Sequence, residues 1–355
     1  MTNRENVFRA LRRDNPEKVP FDLILCPFHL ETLKKKTGTD DYQTYFQFPY
    51  RCVELEPSIR SYDYSHYYKN LPPQANPLKW NPEWGIFSVP GTIAHFEQML
   101  HPMENFQSLD EILSYPFPDY NEPYRWKGMD RKIASLQKED LIAVAEMQMT
   151  IFETAWYLRG MENLMTDLLI NREFAEALFD KIMNIRIGMA EKYARNGIDI
   201  LMLGDDVSTQ LSMMMDPGLW REILKPRLTK VIRAAREVKQ DILIFYHGDG
   251  NLQEIIPDLI NVGVDILNPV QPECMDPVHI KKQYGDQLSF WGTIGTQTTL
   301  PFGTAEDVEN AVRRNIETIG AGGGLFIAPT HMIEPEVPWE NIETFVRTVK
   351  KYGIY

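Results

Sequence analysis

The sequence lacks the features that mark disulfide-stabilised and membrane-spanning proteins. Only three cysteines, Cys26, Cys52 and Cys274, occur along 355 residues, so neither a disulfide framework nor a paired-cysteine metal site is expected. No apolar run approaches the length that spans a bilayer, and the first residues carry no apolar signal core. We therefore expect a cytoplasmic protein with no membrane partner.

Positive charge is also scarce. The chain has 37 Lys and Arg against 50 Asp and Glu, which gives a net charge of −13, whereas a nucleic-acid-binding protein shows a basic footprint. The densest basic run, at residues 33–38, is interpreted as a solvated helix face. We expect no nucleic-acid partner, and a monomer or a homodimer.

Apolar runs bounded by turn residues recur along the chain and predict strands. The predicted strands are residues 19–25, 51–57, 141–148, 199–206, 241–249, 264–271, 288–295 and 324–331. Amphipathic helical segments separate the later runs, at 171–197, 216–239, 251–263 and 304–320. This alternation indicates a parallel sheet covered by helices, and eight strands fit an α/β fold of the (β/α)8 TIM-barrel type. A doubly wound sheet is the alternative, but no Gly-x-Gly-x-x-Gly follows the first strand.

Residues 58–130 interrupt this rhythm and are rich in Tyr, Pro and Trp. We expect an irregular insertion over one end of the barrel, and no linker divides the chain, so residues 1–355 are predicted to form a single domain. Tyr62, Tyr64 and Trp84 are candidate substrate-binding residues that would stack on a ring. The alternative is that these aromatic side chains form the insertion's own small core.

Polar side chains cluster where the predicted strands end, which is where TIM barrels carry their active sites. An ordinary strand end shows Gly, Ser or Asn more often than this many ligand-type side chains. The group comprises Glu146, Asp205, Asp206, His247, Asp249, Gln271, Glu273, Gln297 and His331. Among them, Gln271 and Gln297 are candidate substrate-binding residues.

His247 and Asp249 are one residue apart, so in an extended strand both side chains point to the same side. If that side faces inward, His331 and Glu273 could join them from two other strands and complete a metal site. Imidazole and carboxylate ligands suit zinc, and also iron, manganese or nickel. Cys274 competes with Glu273 for the fourth position, and a single His at a strand end is more often a structural residue.

The remaining carboxylates have several possible roles. Asp205 and Asp206 could bind substrate, act as general acid or base, or cap the next helix. We expect Asp205 to be a cap. Asp206 and Glu146 are the candidate catalytic residues, which would orient the substrate.

Motifs along nearly the whole chain resemble the uroporphyrinogen decarboxylase superfamily, which also contains zinc- and corrinoid-linked methyltransferases. They include "HPMENFQSLDEILSYPFPD" (101–119), "GVDILNPVQP" (263–272) and "APTHMIEPEVPWENI" (328–342). True porphyrinogen decarboxylases have an arginine-rich loop after the first strand that holds the substrate's propionates. Here that loop reads "CPFHLETLKKKTG" and has no arginine, so porphyrinogen decarboxylation is not expected.

In the methyltransferases of this superfamily, a His-x-Cys pair and a later Cys hold zinc. The matching positions here are His247, Asp249 and His331, so residues that still bind metal replace both thiolates. The resemblance implies a metal-dependent methyltransferase that moves a methyl group between a small substrate and a separate corrinoid protein. A methoxylated aromatic substrate would make it an O-demethylase component. The alternatives are a decarboxylase or lyase of a small carboxylic acid, and a non-catalytic binding barrel.

Overall fold

The structure, a computed structural model, describes residues 1–68, 78–91 and 97–355, with no side chains described for 78–80. Residues 69–77 and 92–96 of the expected insertion lie outside the described residues.

The strands are β1 (Tyr50–Cys52), β2 (Leu78–Asn81), β3 (Ile86–Pro90), β4 (Glu97–Leu100), β5 (Ile142–Gln148), β6 (Ile200–Gly204), β7 (Leu243–His247), β8 (Ile266–Asn268), β9 (Ser289–Ile294) and β10 (Leu325–Pro329). The helices are α1 (Asn3–Leu11), α2 (Pro27–Thr37), α3 (Tyr42–Phe46), α4 (Leu109–Ser114), α5 (Met129–Lys138), α6 (Phe152–Arg159), α7 (Met161–Ile170), α8 (Arg172–Arg195), α9 (Pro217–Val238), α10 (Ile256–Val262), α11 (Pro277–Tyr284), α12 (Thr299–Phe302), α13 (Ala305–Thr318) and α14 (Trp339–Tyr352). None of these helices combines the length and the apolar character that a membrane span needs.

A curled parallel sheet forms the centre of a TIM-barrel-like fold, which confirms the predicted class. Its strands lie in the order β1-β5-β6-β7-β8-β9-β10. The predicted strand over 19–25 is a correction: within the described part of the chain it forms only isolated parallel bridges, Phe21 to Ile327 and Leu25 to Ile333. Pro20 has no N–H to donate to a ladder, which weakens regular pairing there. The predicted strand over 51–57 was too long, since β1 ends at Cys52.

The inside of the barrel is filled by apolar side chains at alternate strand positions. They are Tyr50, Ile142, Val144, Ile200, Met202, Leu243, Phe245, Ile266, Trp291, Phe326 and Ala328. Val7 and Leu11 of α1 belong to the same buried cluster, and the carbonyls of Ala10 and Leu11 accept hydrogen bonds from Gly324 and Ser289. Because those two residues lie at the amino ends of β10 and β9, α1 closes that end of the barrel.

The insertion is more regular than the sequence indicated. Strands β2, β3 and β4 form a small antiparallel sheet in that order. Tyr64 and Trp84 are buried, and Tyr64 lies against Tyr67 and Tyr115. These aromatic side chains therefore build a core within the insertion.

The interior packing predicts that Phe245→Ala strongly lowers the free energy of unfolding. Phe245 is buried beside Trp291, at 5.4 Å between ring centroids, and removal of a buried Phe ring typically costs about 3–5 kcal/mol. The control is Phe302→Ala, because Phe302 is 79% exposed. Urea unfolding followed by tryptophan fluorescence should show a lower midpoint for Phe245→Ala alone; equal midpoints for the two variants would contradict the described packing.

Candidate metal centre

His247 is the last residue of β7 and stands at the open, carboxyl end of the barrel. Leu243 and Phe245 face the interior, so strand alternation turns the His247 imidazole to the same side. Its Nδ1 is 2.5 Å from Oδ1 of Asn268. Its Nε2 faces two carboxylates, 3.7 Å from Oδ1 of Asp206 and 3.9 Å from Oδ1 of Asp249.

The Asp206 and Asp249 carboxylates come from neighbouring loops and are held side by side by backbone hydrogen bonds. The Asp249 N–H donates to Oδ1 of Asp206 at 2.7 Å, and the Asp206 N–H donates to Oε2 of Glu153 at 3.0 Å. Ligand atoms of Asp206, His247 and Asp249 all lie within 4.8 Å of one another. In the described ranges, no other three His, Cys, Asp or Glu residues meet this way.

Burial makes the negative charge of this cluster costly. It raises the pKa of Asp249, and the His247 imidazole opposes that rise. Burial also raises the pKa of Glu153 to about 8, with Asp206 and Asp205 adding to the rise. Burial alone would lower the pKa of His247, but the Asp249 and Asp206 carboxylates, together with weaker contributions from other neighbours, outweigh it and the pKa is raised. The site therefore favours added positive charge.

One carboxylate oxygen of the cluster supports a divalent cation as the source of that charge. Oδ1 of Asp249 is buried and has no hydrogen-bond partner; Oε2 of Glu273, outside the cluster, is in the same condition. An unpaired buried polar atom costs free energy that a bound cation would offset. One imidazole and two carboxylates form a donor set used by zinc and by other divalent transition metals. The residues present therefore fit such an ion.

Asp205 has the capping role expected for it, but at a different helix. Its buried carboxylate accepts the N–H groups of Ile151 and Glu153, so it caps α6, which follows β5, and not the next helix along the chain. Burial raises the pKa of Asp205 to about 7, although these N–H groups oppose the rise.

Glu146 lies outside the cluster. It faces the barrel interior from β5, because it pairs with Met202 on β6, which in turn pairs with the inward-facing Phe245 on β7. Its carboxylate borders a cavity of about 390 Å³ that Glu54, Tyr120 and other residues line. Glu146 is exposed to solvent, yet desolvation of its carboxylate by nearby protein atoms, followed by the charge of Glu54, raises its pKa.

Gln271 and Gln297 both contact loops around the cluster. Gln271 is buried, and its Oε1 accepts the Gly250 N–H at 2.6 Å, directly after Asp249. Gln297 is exposed, and its Oε1 accepts a hydrogen bond from the Gln210 side chain at 2.6 Å.

Glu273 and His331, the other predicted ligands, are not among the converging residues. Oε1 of Glu273 accepts from the Thr298 hydroxyl at 2.9 Å. His331 is exposed in the loop after β10, close enough that its charge lowers the pKa of Asp249.

Cys274, the alternative to Glu273, has its thiol 3.5 Å from Oε1 of Gln271. Burial raises the pKa of that thiol, which disfavours the thiolate that metals bind.

The three aromatic candidates belong to the insertion and not to the cluster. The Tyr64 hydroxyl lies within hydrogen-bond distance of the carbonyl oxygens of Glu83 and Pro116, and the Trp84 indole donates to the Tyr120 hydroxyl. Tyr62 is 46% exposed and lies beside Tyr64. For Tyr64 and Trp84 the structure matches the alternative interpretation, a core within the insertion.

Sequence reasoning missed two residues that contact the cluster, Asn268 and Glu153. Asn268 had a readable signal, because it follows Ile266 by two residues on a predicted strand and so shares its inward side. Glu153 had none, since it lies on a helix after a neighbouring strand and reaches Asp206 only through the tertiary fold.

The chain is similar to proteins of one family. A family model described as Uroporphyrinogen decarboxylase (URO-D) matches residues 106–352. A uroporphyrinogen decarboxylase of Rickettsia africae is 24% identical over 268 residues, which cover 72% of this chain and 73% of that protein.

Two methyltransferases are also similar. A methylated-thiol–coenzyme M methyltransferase of Methanosarcina mazei is 23% identical over 210 residues, 57% of this chain and 52% of that protein. The chain thus matches about half the length of this curated relative. The solved structure of a methyltransferase from Methanosarcina mazei covers 99% of both chains with a TM-score of 0.66 and 16% identity. At that identity the likeness shows a common fold.

The cluster predicts that the protein binds about one divalent ion per chain through Asp206, His247 and Asp249. His247→Ala, Asp206→Ala and Asp249→Ala should each purify without metal, because each removes one of the three converging ligands. His279→Ala is the control, since His279 is exposed on α11. Elemental analysis after zinc loading and desalting checks this, and zinc retained by all three variants would refute the site.

The role of His331 and Glu273 is tested by affinity. His331→Ala and Glu273→Ala should weaken zinc binding by ~10–100-fold, the range found when groups near a metal site are removed, and should not abolish it. Competition with a chromophoric chelator measures this change. Unchanged affinity in both variants would leave the three clustered residues as the complete set of protein ligands.

Proposed function

The chain belongs to the uroporphyrinogen decarboxylase (URO-D) family, and we propose that it acts within that family as a metal-dependent methyltransferase. The proposed reaction moves a methyl group between a methoxylated aromatic substrate and a separate corrinoid protein, which makes the chain an O-demethylase component. The observation that carries the proposal is the convergence of Asp206, His247 and Asp249 at the open end of the barrel.

The charges at this end of the barrel disfavour decarboxylation of a polycarboxylate. The loop after the first extended segment continues into α2, whose lysines, Lys34, Lys35 and Lys36, are exposed in its last turn. These lysines lie at the opposite end of α2 from Pro27, where the helix begins, and α2 contains no arginine. The mouth itself carries Asp206 and Asp249, which would repel substrate carboxylates.

The donor set favours oxygen chemistry. Two carboxylates and an imidazole are harder ligands than thiolates, so they suit a metal that acts on an oxygen atom. A zinc ion, or another divalent metal, would act there as a Lewis acid on the ether or phenolate oxygen. For this reason we favour an O-methyl substrate over a thioether.

The protein's own residues would hold the metal and position the substrate. Asp206, expected from the sequence to orient the substrate, is proposed here as a ligand, and His331 and Glu273 as ligands that complete the set. Glu146 keeps the proposed role of orienting the substrate, because it borders the cavity beside β5. Tyr62 and Gln297, both exposed, remain the predicted substrate contacts at the rim.

Methyl transfer from a neutral methoxyarene, 2-methoxyphenol, to cob(I)alamin tests the proposal. The zinc-loaded protein should form methylcobalamin and release catechol. His247→Ala and Asp249→Ala should lower the rate by at least ~100-fold, since loss of groups that merely support ligands already costs ~10–100-fold. The absorbance change of the corrinoid and chromatography of the phenol give the two readouts.

The control variant is Asp286→Asn, because Asp286 is exposed and lies in the loop that leads into β9 at the opposite end of the barrel. Asp249→Cys is the informative variant: a softer ligand should raise the ratio of thioanisole to methoxyphenol turnover. Transfer from thioanisole alone by the wild type would refute the O-demethylase assignment. Absence of transfer from either substrate, together with release of CO₂ from a carboxylic acid panel, would replace the methyltransferase proposal with the decarboxylase.

A further inference from the structure

Asn268 ends β8 and lies between His247 on β7 and Trp291 on β9. The parallel register pairs His247 with Asn268, so the two side chains point into the same layer of the barrel. Oδ1 of Asn268 is 2.5 Å from Nδ1 of His247, and its Nδ2 donates to the Trp291 carbonyl at 2.7 Å. One amide therefore bridges three adjacent strands immediately beside the metal cluster.

The partner on β9 fixes which way the amide faces. A backbone carbonyl can only accept, so the NH₂ end of Asn268 belongs toward Trp291 and the oxygen end toward His247. The reversed amide would bring its oxygen against the Trp291 carbonyl oxygen and its N–H against His247. Since Oδ1 can only accept, Nδ1 of His247 carries the proton, and in the neutral ring Nε2 has the free lone pair.

A second contact confines the His247 backbone on the opposite side. A Cβ at Gly204 of β6 would lie 2.5 Å from the His247 carbonyl oxygen and 2.6 Å from its Cβ, so only glycine allows this close approach. On the other side, the Gly248 N–H donates to the Asn268 carbonyl at 3.0 Å. The residue is therefore held between β6 and β8.

We propose that Asn268 is the positioning residue that fixes the tautomer and orientation of His247, so that the Nε2 lone pair points between Asp206 and Asp249 toward a divalent cation. The use of that lone pair by a metal rests on the proposed function, whereas the tautomer exists in the metal-free protein. Hydrogen bonds of this kind at the second ring nitrogen of a metal-binding histidine orient the ring and raise its basicity.

The tautomer can be observed without metal or substrate. In ¹⁵N-histidine-labelled, EDTA-treated protein at alkaline pH, His247 should show a protonated Nδ1 and an unprotonated Nε2, with the resonances assigned through His247→Ala. Asn268→Ala should convert this ring to a mixture of tautomers. A wild-type ring protonated at Nε2, or an unchanged ring in Asn268→Ala, overturns the proposal.

Zinc affinity, measured by chelator competition, gives the second readout. Asn268→Ala should bind zinc ~10–100-fold more weakly than the wild type. Asn315→Ala is the matched control: this buried amide on α13 donates to the Thr293 carbonyl at 2.9 Å and does not touch the cluster. It should change neither the affinity nor the tautomer.

The outcomes separate the two proposals. A wild-type protein that binds no zinc refutes the metal site, while the metal-free spectrum still decides the role of Asn268. Wild-type zinc affinity in Asn268→Ala refutes the positioning role and leaves the metal site standing. If Asn268→Ala does not fold, Asn268→Leu, which keeps the branched shape but has no acceptor, carries the same expected loss in both measurements.

Discussion

The open end of the barrel depends on how several carboxylates are kept around one imidazole. Asp206 and Asp249 both face Nε2 of His247, and the Asp249 N–H donates to Asp206 and so prevents the two loops from separating. Behind them, Glu153 is buried with its pKa raised to about 8. Like charges in a buried site raise each other's free energy unless a proton or a cation balances them. The arrangement is therefore built for bound positive charge.

The sequence was sufficient to predict positions that follow from the periodicity of a strand. It was insufficient for positions that depend on how loops pack against each other. Strand alternation predicted that His247 and Asp249 share one side of their strand, and apolar runs predicted the barrel. Alternation could not bring Asp206 into the cluster, because its position depends on a hydrogen bond between loops that are far apart in sequence. Aromatic composition could not distinguish a lid from a core, since the burial of Tyr64 and Trp84 depends on partners contributed by the folded insertion.

The resemblance implies that Asp249 and His331 stand where the methyltransferases have thiolates, and for Asp249 this substitution would have a physical meaning in the folded site. A thiolate is polarisable and favours soft metals and sulfur substrates, whereas carboxylate and imidazole form a harder environment. Asp249 also contributes its backbone N–H to Asp206, so its side chain and its main chain both shape the cluster. A cysteine there would keep the backbone contact and change only the donor, which separates the architecture of the site from its chemical preference.

The closure of the amino end of the barrel by α1 has a kinetic consequence. Val7 and Leu11 fill the amino end of the barrel. Small molecules therefore reach and leave His247 from the carboxyl end. In the proposed reaction the small substrate and the much wider corrinoid would both approach through this carboxyl end. A seated macrocycle would cover it, and therefore the substrate would have to arrive before the carrier docks and the phenol would leave after the carrier departs. Access alone would then impose a compulsory order on the catalytic cycle.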